Sequence, residues 1–136
     1  MSNKRVAING FGRIGRLTLR AFLEARRKDL DFVAINDLGS AEMNAHLLEF
    51  DTVHGRFPGK VSAANGHLKA DGHDLAVLAE ANPEKLPWRD LGIDIVMECT
   101  GRFADRDSAA KHLTAGAKRV LVSAPCTNAD LTVVYG

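Results

Sequence analysis

The sequence holds little of what stabilises small secreted domains. Two cysteines, Cys99 and Cys126, stand in 136 residues, too few for a disulfide framework and in keeping with a reducing compartment. Charge of one sign is also lacking. A formal net charge of +1 gives no electrostatic footprint for nucleic acid or an anionic membrane, and the basic cluster Arg26-Arg27-Lys28 reads as a solvated helix end. No apolar run approaches the ~20 residues of a membrane span. The N-terminus, MSNKRVAI, enters a strand pattern without a signal-peptide core. Internal repeats and low-complexity tracts are absent. The histidines His46, His54, His67, His73 and His112 lack metal-ligand spacing, so no metal is expected. What remains is 46% hydrophobic and 26% charged, the composition of one globular domain with its own core. A cytoplasmic domain that engages neither membrane nor nucleic acid is expected.

The most informative stretch is Arg5–Arg16, RVAINGFGRIGR. The β-branched run Val6-Ala7-Ile8 feeds into Gly10-Phe11-Gly12-Arg13-Ile14-Gly15, and a helical pattern with Leu17, Leu19, Phe22 and Leu23 follows. Strand, glycine turn and helix in that order form the context of a dinucleotide-binding fingerprint. Gly10 lets the chain turn off the strand, Gly12 leaves room for a pyrophosphate, and Gly15 lets helix and strand pack closely. The free N–H groups of the helix's first turn then face the phosphates.

A second apolar run, Phe32-Val33-Ala34-Ile35, ends in Asn36-Asp37. Asp37 follows Gly15 at about the 20-residue interval expected for the carboxylate that accepts hydrogen bonds from a ribose diol. Its charge repels a 2′-phosphate, so NAD is favoured over NADP. Asp37 also suits a helix cap, a role compatible with the first.

Further along, the pattern predicts a helix from about Ile14 to Arg27, another around Asn44–Leu48 opened by Ser40, and a loop over Asp51–Gly59. Three short segments, near Lys60–Ala63, His67–Ala70 and Asp74–Ala79, are separated by Asn65-Gly66 and Asp71-Gly72, both strong hairpin turns. A strand at Ile93–Glu98, a helix from a capping Asp105 to Ala115, and strands at Arg119–Ser123 and Leu131–Tyr135 restore the strand–helix rhythm. The fold class expected is α/β, a doubly wound, mostly parallel sheet with a small antiparallel excursion and helices on both faces. The loops Glu98–Phe103 and Ser123–Pro125 follow strand ends and so converge on the ligand crevice. Thr100 and Ser123 offer hydroxyls there, and Phe103 an apolar wall.

The stretches NGFGRIGR, INDLG, NAHLLEFDTVHGRF, ECTGRF, AAKHLTAGAKRVLVSAP and TVVYG together resemble the coenzyme-binding half of the glyceraldehyde-3-phosphate dehydrogenase family, over essentially the whole chain. The resemblance implies a Rossmann-type domain over residues 1–136 that binds NAD. It assigns cofactor contacts to Asn9, Gly10, Phe11, Gly12, Arg13, Ile14, Asn36, Asp37, Thr100, Gly101, Phe103 and Ser123. In that resemblance Gly10, Gly12, Arg13 and Ile14 wrap the pyrophosphate, Asn9 lies beside the adenosine, Asp37 takes the adenosine ribose, and the Thr100 loop flanks the adenosine half. The chain departs from the family at Ala81, where an arginine commonly lies near the adenine.

Enzymes of this family oxidise glyceraldehyde 3-phosphate to 1,3-bisphosphoglycerate with NAD and phosphate, as homotetramers. Their cysteine nucleophile sits in a Ser-Cys-Thr-Thr-Asn motif and is activated by a histidine, as thiolate chemistry requires. The sequence ends at Gly136 without that motif, so no catalytic residue is expected here, and the chain alone is expected to be inactive. Pro125-Cys126-Thr127-Asn128 echoes the motif, but in a variable turn without a histidine partner. Cys99 reads as a core residue, and Asp94, Glu98 and Asp105 form no acid–base pair. Relatives that oxidise erythrose 4-phosphate share much of this half, whereas DTVHGRFPG favours the glyceraldehyde enzyme. A free-standing nucleotide-binding module is the alternative of a different class.

Overall fold

In strand β1, Lys4–Asn9, alternate side chains fall on opposite faces of a sheet, and that alternation divides the interior in two. Val6 and Ile8 enter one core and Ala7 the other. The computed structural model describes residues 3–25, 28–51, 55–103, 105–123, 128–129 and 131. After β1 come α1 (Arg13–Ala25), β2 (Leu30–Asn36) and α2 (Ala41–Glu49). Strands β3 (Phe50–Asp51), β4 (Gly55–Arg56), β5 (Val61–Ala64), β6 (His67–Ala70) and β7 (His73–Leu78) follow. A 3-10 turn at Pro83–Lys85 precedes β8 (Ile95–Glu98), the single turns α3 (Arg106–Ala109) and α4 (Lys111–Thr114), and β9 (Arg119–Val122).

The main sheet has seven strands in the order β5-β6-β7-β2-β1-β8-β9. The pairings β7·β2, β2·β1, β1·β8 and β8·β9 are parallel, and β5·β6 and β6·β7 are antiparallel. This is the doubly wound, mostly parallel α/β sheet that the sequence predicts. One face packs against α1 through Leu19, Phe22 and Leu23, with the Phe22 and Phe32 rings 4.5 Å apart. The other face is covered by Leu86, Trp88, Ile93, Ala115 and Ala117, with α4 beside the 3-10 turn.

Both expected hairpins form. Asn65 and Gly66 have φ of 54° and 74°, and Asp71 and Gly72 have 49° and 85°, the paired positive values of a type I′ turn. The antiparallel segment is fused to the main sheet, because β7 runs parallel to β2 and extends it.

Two expectations need correction. The Asp51–Gly59 stretch is not wholly loop: Phe50-Asp51 pairs antiparallel with Gly55-Arg56 as a separate two-stranded ladder. Gly55, at φ 74°, makes that reversal without steric strain, and so short a ladder has no periodicity to reveal it. The helix expected over Asp105–Ala115 divides at Ala110, whose N–H is shared between the carbonyls of Arg106 and Ser108, so the ladder restarts at Lys111. Its cap is as expected, with the Asp105 carboxylate accepting the Ser108 N–H at 2.8 Å. That hydrogen bond holds the Asp105 carboxyl below the usual carboxylate range. The strand expected over 131–135 lies, Leu131 apart, outside the described residues, as does Cys126 with most of its loop. Among the described residues no helix is long and apolar enough to cross a membrane.

Candidate functional site

From β1 the chain crosses through α1 to β2 on one side, and later returns to β8 on the other. The strand order therefore reverses between β1 and β8, the point where open α/β sheets leave a crevice at their carboxyl ends. A cleft of about 310 Å³ opens there, between the loops that follow β1, β2, β7 and β8.

Three glycines shape its floor. Gly10 turns off β1 at φ 93°, and a Cβ there would lie 2.7 Å from the Thr100 methyl carbon. A Cβ on Gly15 would collide with the Gly10 carbonyl oxygen, so α1 can leave β1 this closely only without a side chain. Gly12 has nothing within 4 Å of the same position and lines the cleft. Its openness is room for a group the size of a pyrophosphate above the free N–H groups of α1's first turn.

Asp37 stands at the end of β2, on the cleft wall. One carboxylate oxygen accepts the Phe11 N–H at 3.1 Å and the other the Gly39 N–H at 3.0 Å. The carboxylate is thus fixed to the glycine turn on one side and to its own loop on the other. Lone pairs remain on both oxygens for hydroxyl donors.

Of the residues singled out from the sequence, Asn9, Gly10, Gly12, Asn36, Asp37, Thr100 and Phe103 line the cleft together. Phe11, Arg13, Ile14, Gly101 and Ser123 lie outside its lining. The Phe11 side chain is buried in the core, leaving its backbone toward Asp37. The Arg13 guanidinium pairs with Asp51 at 3.9 Å, and Ile14 is exposed on the helix's first turn. Gly101 is exposed in the turn after Thr100, and Ser123 donates its backbone N–H to the Glu98 carbonyl at 3.0 Å. Leu38, Glu80, Ala81, Cys99 and Arg102 complete the lining without having been picked out as contacts. Cys99 packs against the core as expected, yet one side of it faces the cleft. Burial and the neighbouring Glu98 charge push its thiol upward in pKa, against a hydrogen bond from Ser123, which leaves it a poor nucleophile.

Beneath the cleft lies a polar network that the sequence motifs do not announce. Glu98 is 1% exposed, and His112 wholly buried. Glu98 Oε1 accepts from Asn9 Nδ2 at 2.6 Å and from His112 Nε2 at 2.8 Å. Its Oε2 accepts the Thr100 N–H at 2.9 Å and the Thr100 hydroxyl at 2.5 Å. Burial alone would raise the Glu98 carboxyl, but the hydrogen bonds from His112, Thr100 and Asn9 outweigh it and hold the group below its ordinary value. By contrast, Asp94 is a peripheral clamp. It accepts the Arg5 N–H at 2.9 Å and pairs with Lys118 at 3.1 Å, in that order the causes of its lowered pKa.

A family model described as glyceraldehyde 3-phosphate dehydrogenase, NAD binding domain, matches residues 4–106. The chain is 61% identical over 132 residues to a glyceraldehyde-3-phosphate dehydrogenase of Xanthobacter flavus, covering 97% of this chain and 39% of that protein. It is 58% identical over 132 residues to one of Cereibacter sphaeroides, with the same coverage. With one of Pseudomonas aeruginosa it shares 56% identity over 133 residues, 97% of this chain and 40% of that protein. The chain thus spans about two fifths of the length of the curated relatives it matches.

Proposed function

The chain belongs to the glyceraldehyde 3-phosphate dehydrogenase family through its NAD-binding domain, and from that premise we propose that residues 1–136 are the coenzyme-binding part of a phosphorylating aldehyde dehydrogenase. The observation that carries the reading is the cleft at the β1/β8 reversal. Gly12 leaves it open toward the start of α1, and Asp37 is fixed on its wall.

Each part has a task in that reading. The free N–H groups at the start of α1 and the turn from Gly10 to Ile14 cradle the pyrophosphate. Asn9 and Asn36 hold the strand ends beneath it. The Asp37 carboxylate accepts from the adenosine ribose diol and disfavours a 2′-phosphate. Thr100, Gly101 and Phe103 flank the adenosine half, with Phe103 as its apolar wall, and Ser123 offers a hydroxyl from the end of β9. Ala81 offers the adenine no guanidinium. NAD, once bound, supplies the hydride acceptor, and the protein supplies its orientation and the exclusion of water.

The nucleophile, its base and the phosphate sites belong, in this reading, to a second domain. With it the enzyme takes a small phosphorylated aldehyde in glycolysis, glyceraldehyde 3-phosphate being favoured, in a cytoplasmic homotetramer. The chain by itself then binds NAD without turning it over. Calorimetric titration with NAD and NADP tests this. NAD binding with NADP at least tenfold weaker is expected from the Asp37 charge. Equal affinity for the two coenzymes would remove Asp37 from its role. Reduction of NAD by the 136-residue chain with glyceraldehyde 3-phosphate and phosphate would overturn the division of labour between the domains.

A further inference from the structure

Two hydrogen-bond chains run beneath the cleft, and both end on the same carboxylate. The first starts at the Trp88 indole, which can only donate. Its Nε1–H meets His112 Nδ1 at 3.0 Å. His112 Nδ1 is therefore an acceptor, the ring proton is on Nε2, and Nε2 donates to Glu98 Oε1.

The second chain starts at Glu80, just past β7. The Glu80 N–H donates to Asn36 Oδ1 at 2.9 Å, and the Glu80 carbonyl accepts from Asn36 Nδ2 at 2.9 Å. A backbone donor and acceptor on one residue admit a single orientation of the Asn36 amide. Asn36 Nδ2 also donates to Asn9 Oδ1 at 2.7 Å, which fixes the Asn9 amide in turn. Asn9 Nδ2 is left pointing at Glu98 Oε1.

We propose that Glu98 is a positioning residue for the cofactor cleft: its carboxylate is the common terminus that locks together the ends of β1, β2, β7 and β8. Asn9, Asn36, Glu80 and Thr100 are the network members that line the cleft, one from each of those strand ends. Only an acceptor-only group fits at position 98, because donors reach it from both sides. A glutamine there faces donors whichever way it turns. One orientation sets its NH2 against the Thr100 N–H, and the other sets it against Asn9 and His112. A buried donor without an acceptor costs on the order of a tenfold change in an equilibrium. The cheapest relief is movement of the loops that form the cleft. Glu98 touches no coenzyme in this scheme and acts through Asn9 and Thr100.

The inference rests on the reading of the cleft as an NAD site, and the test separates the two. Glu98→Gln is made in the protein, and two quantities are measured: NAD affinity by calorimetry, and the side-chain amide resonances of Asn9 and Asn36 without coenzyme. NAD affinity is expected to fall about tenfold, and the Asn36 amide signals to shift although Asn36 does not touch residue 98. Unmoved Asn36 resonances with affinity within twofold of the parent overturn the proposal. If the parent itself fails to bind NAD, the functional reading falls while the amide readout still decides the role of Glu98.

Should Glu98→Gln not fold, His112→Leu and His112→Gln decide. His112 lies outside the cleft lining but meets Asn9 at 3.4 Å and the Phe103 ring edge-on as well as Glu98. It is therefore the rescue by a donor at position 112 that assigns the effect to the Glu98 hydrogen bond. Loss of affinity in His112→Leu, largely restored by the donor of His112→Gln, is expected. Parent-like affinity and Asn36 signals in both variants overturn the proposal.

Discussion

Gly12 and Gly15 share one turn of chain, yet a methyl group at each meets opposite surroundings. At Gly15 it runs into the Gly10 carbonyl, whereas at Gly12 nothing lies within 4 Å. Gly15→Ala is therefore expected to push α1 off β1 and lower stability by about 1–3 kcal/mol, the cost of overpacking a tight contact. Gly12→Ala is expected to leave stability within about 0.5 kcal/mol, as a surface substitution does, but to weaken NAD binding at least tenfold by filling the cradle. Urea unfolding and calorimetry on the two variants measure both effects; a Gly12→Ala protein that binds NAD normally would show that the coenzyme does not approach this backbone. Such residues are legible in a sequence because their constraint is local: strand, turn and helix occupy consecutive positions. The Glu98 network is not legible, because its meaning depends on partners brought together by the sheet. Asn9 and Glu98 stand 89 positions apart and Trp88 and His112 stand 24 apart, with no motif linking them. Glu98 alone reads as the end of an apolar strand and the start of a crevice loop, with nothing to name Asn9 or His112 as its partners.

The elements separate on the same principle. The hairpins β5–β6 and β6–β7 were open to prediction because Asn-Gly and Asp-Gly supply the two positive φ values that a type I′ turn demands. Gly66→Ala is expected to cost about 1 kcal/mol, since φ of 74° is strained for any residue with a Cβ. No steric contact adds to that cost, because nothing lies within 4 Å of the position. A thermal-melt shift well beyond that magnitude would mean that the turn holds more than its own hairpin. Elements fixed by tertiary packing escaped prediction. The segment over 83–93 has no periodicity, yet Leu86, Trp88 and Ile93 cover one face of the sheet where a long helix would otherwise lie. The capped start of α3 was legible in Asp105, whereas the break at Ala110 was not, since alanine is a helix former. The ladder between β3 and β4 is too short to leave any pattern at all.

At the scale of the whole molecule, the described residues cover the sheet well on its faces and less so at its edge. Strand β9 ends the sheet among the described residues, and Leu121 on it is 48% exposed. Met43 and Phe50 are also exposed, around α2, with the Phe50 ring set against His46 and beneath the Arg56 guanidinium. A parallel strand edge carries unpaired N–H and C=O groups, and with an apolar side chain beside them it is a template for another chain. Nothing in the net charge of +1 opposes self-association by long-range repulsion. The 136-residue chain is accordingly expected to associate as its concentration rises, with β9 as the contact. Leu121→Lys should weaken that association, because an edge lysine must be desolvated when a second strand adds. It should leave the fold intact, since the residue packs in neither core cluster. Sedimentation velocity over a hundredfold concentration range reads the result. A rising sedimentation coefficient in the parent and a flatter one in Leu121→Lys are expected. A parent chain that stays monodisperse throughout would show that this edge is already protected, and equal association of the two proteins would move the contact elsewhere, with the exposed Phe50 surface the next to test.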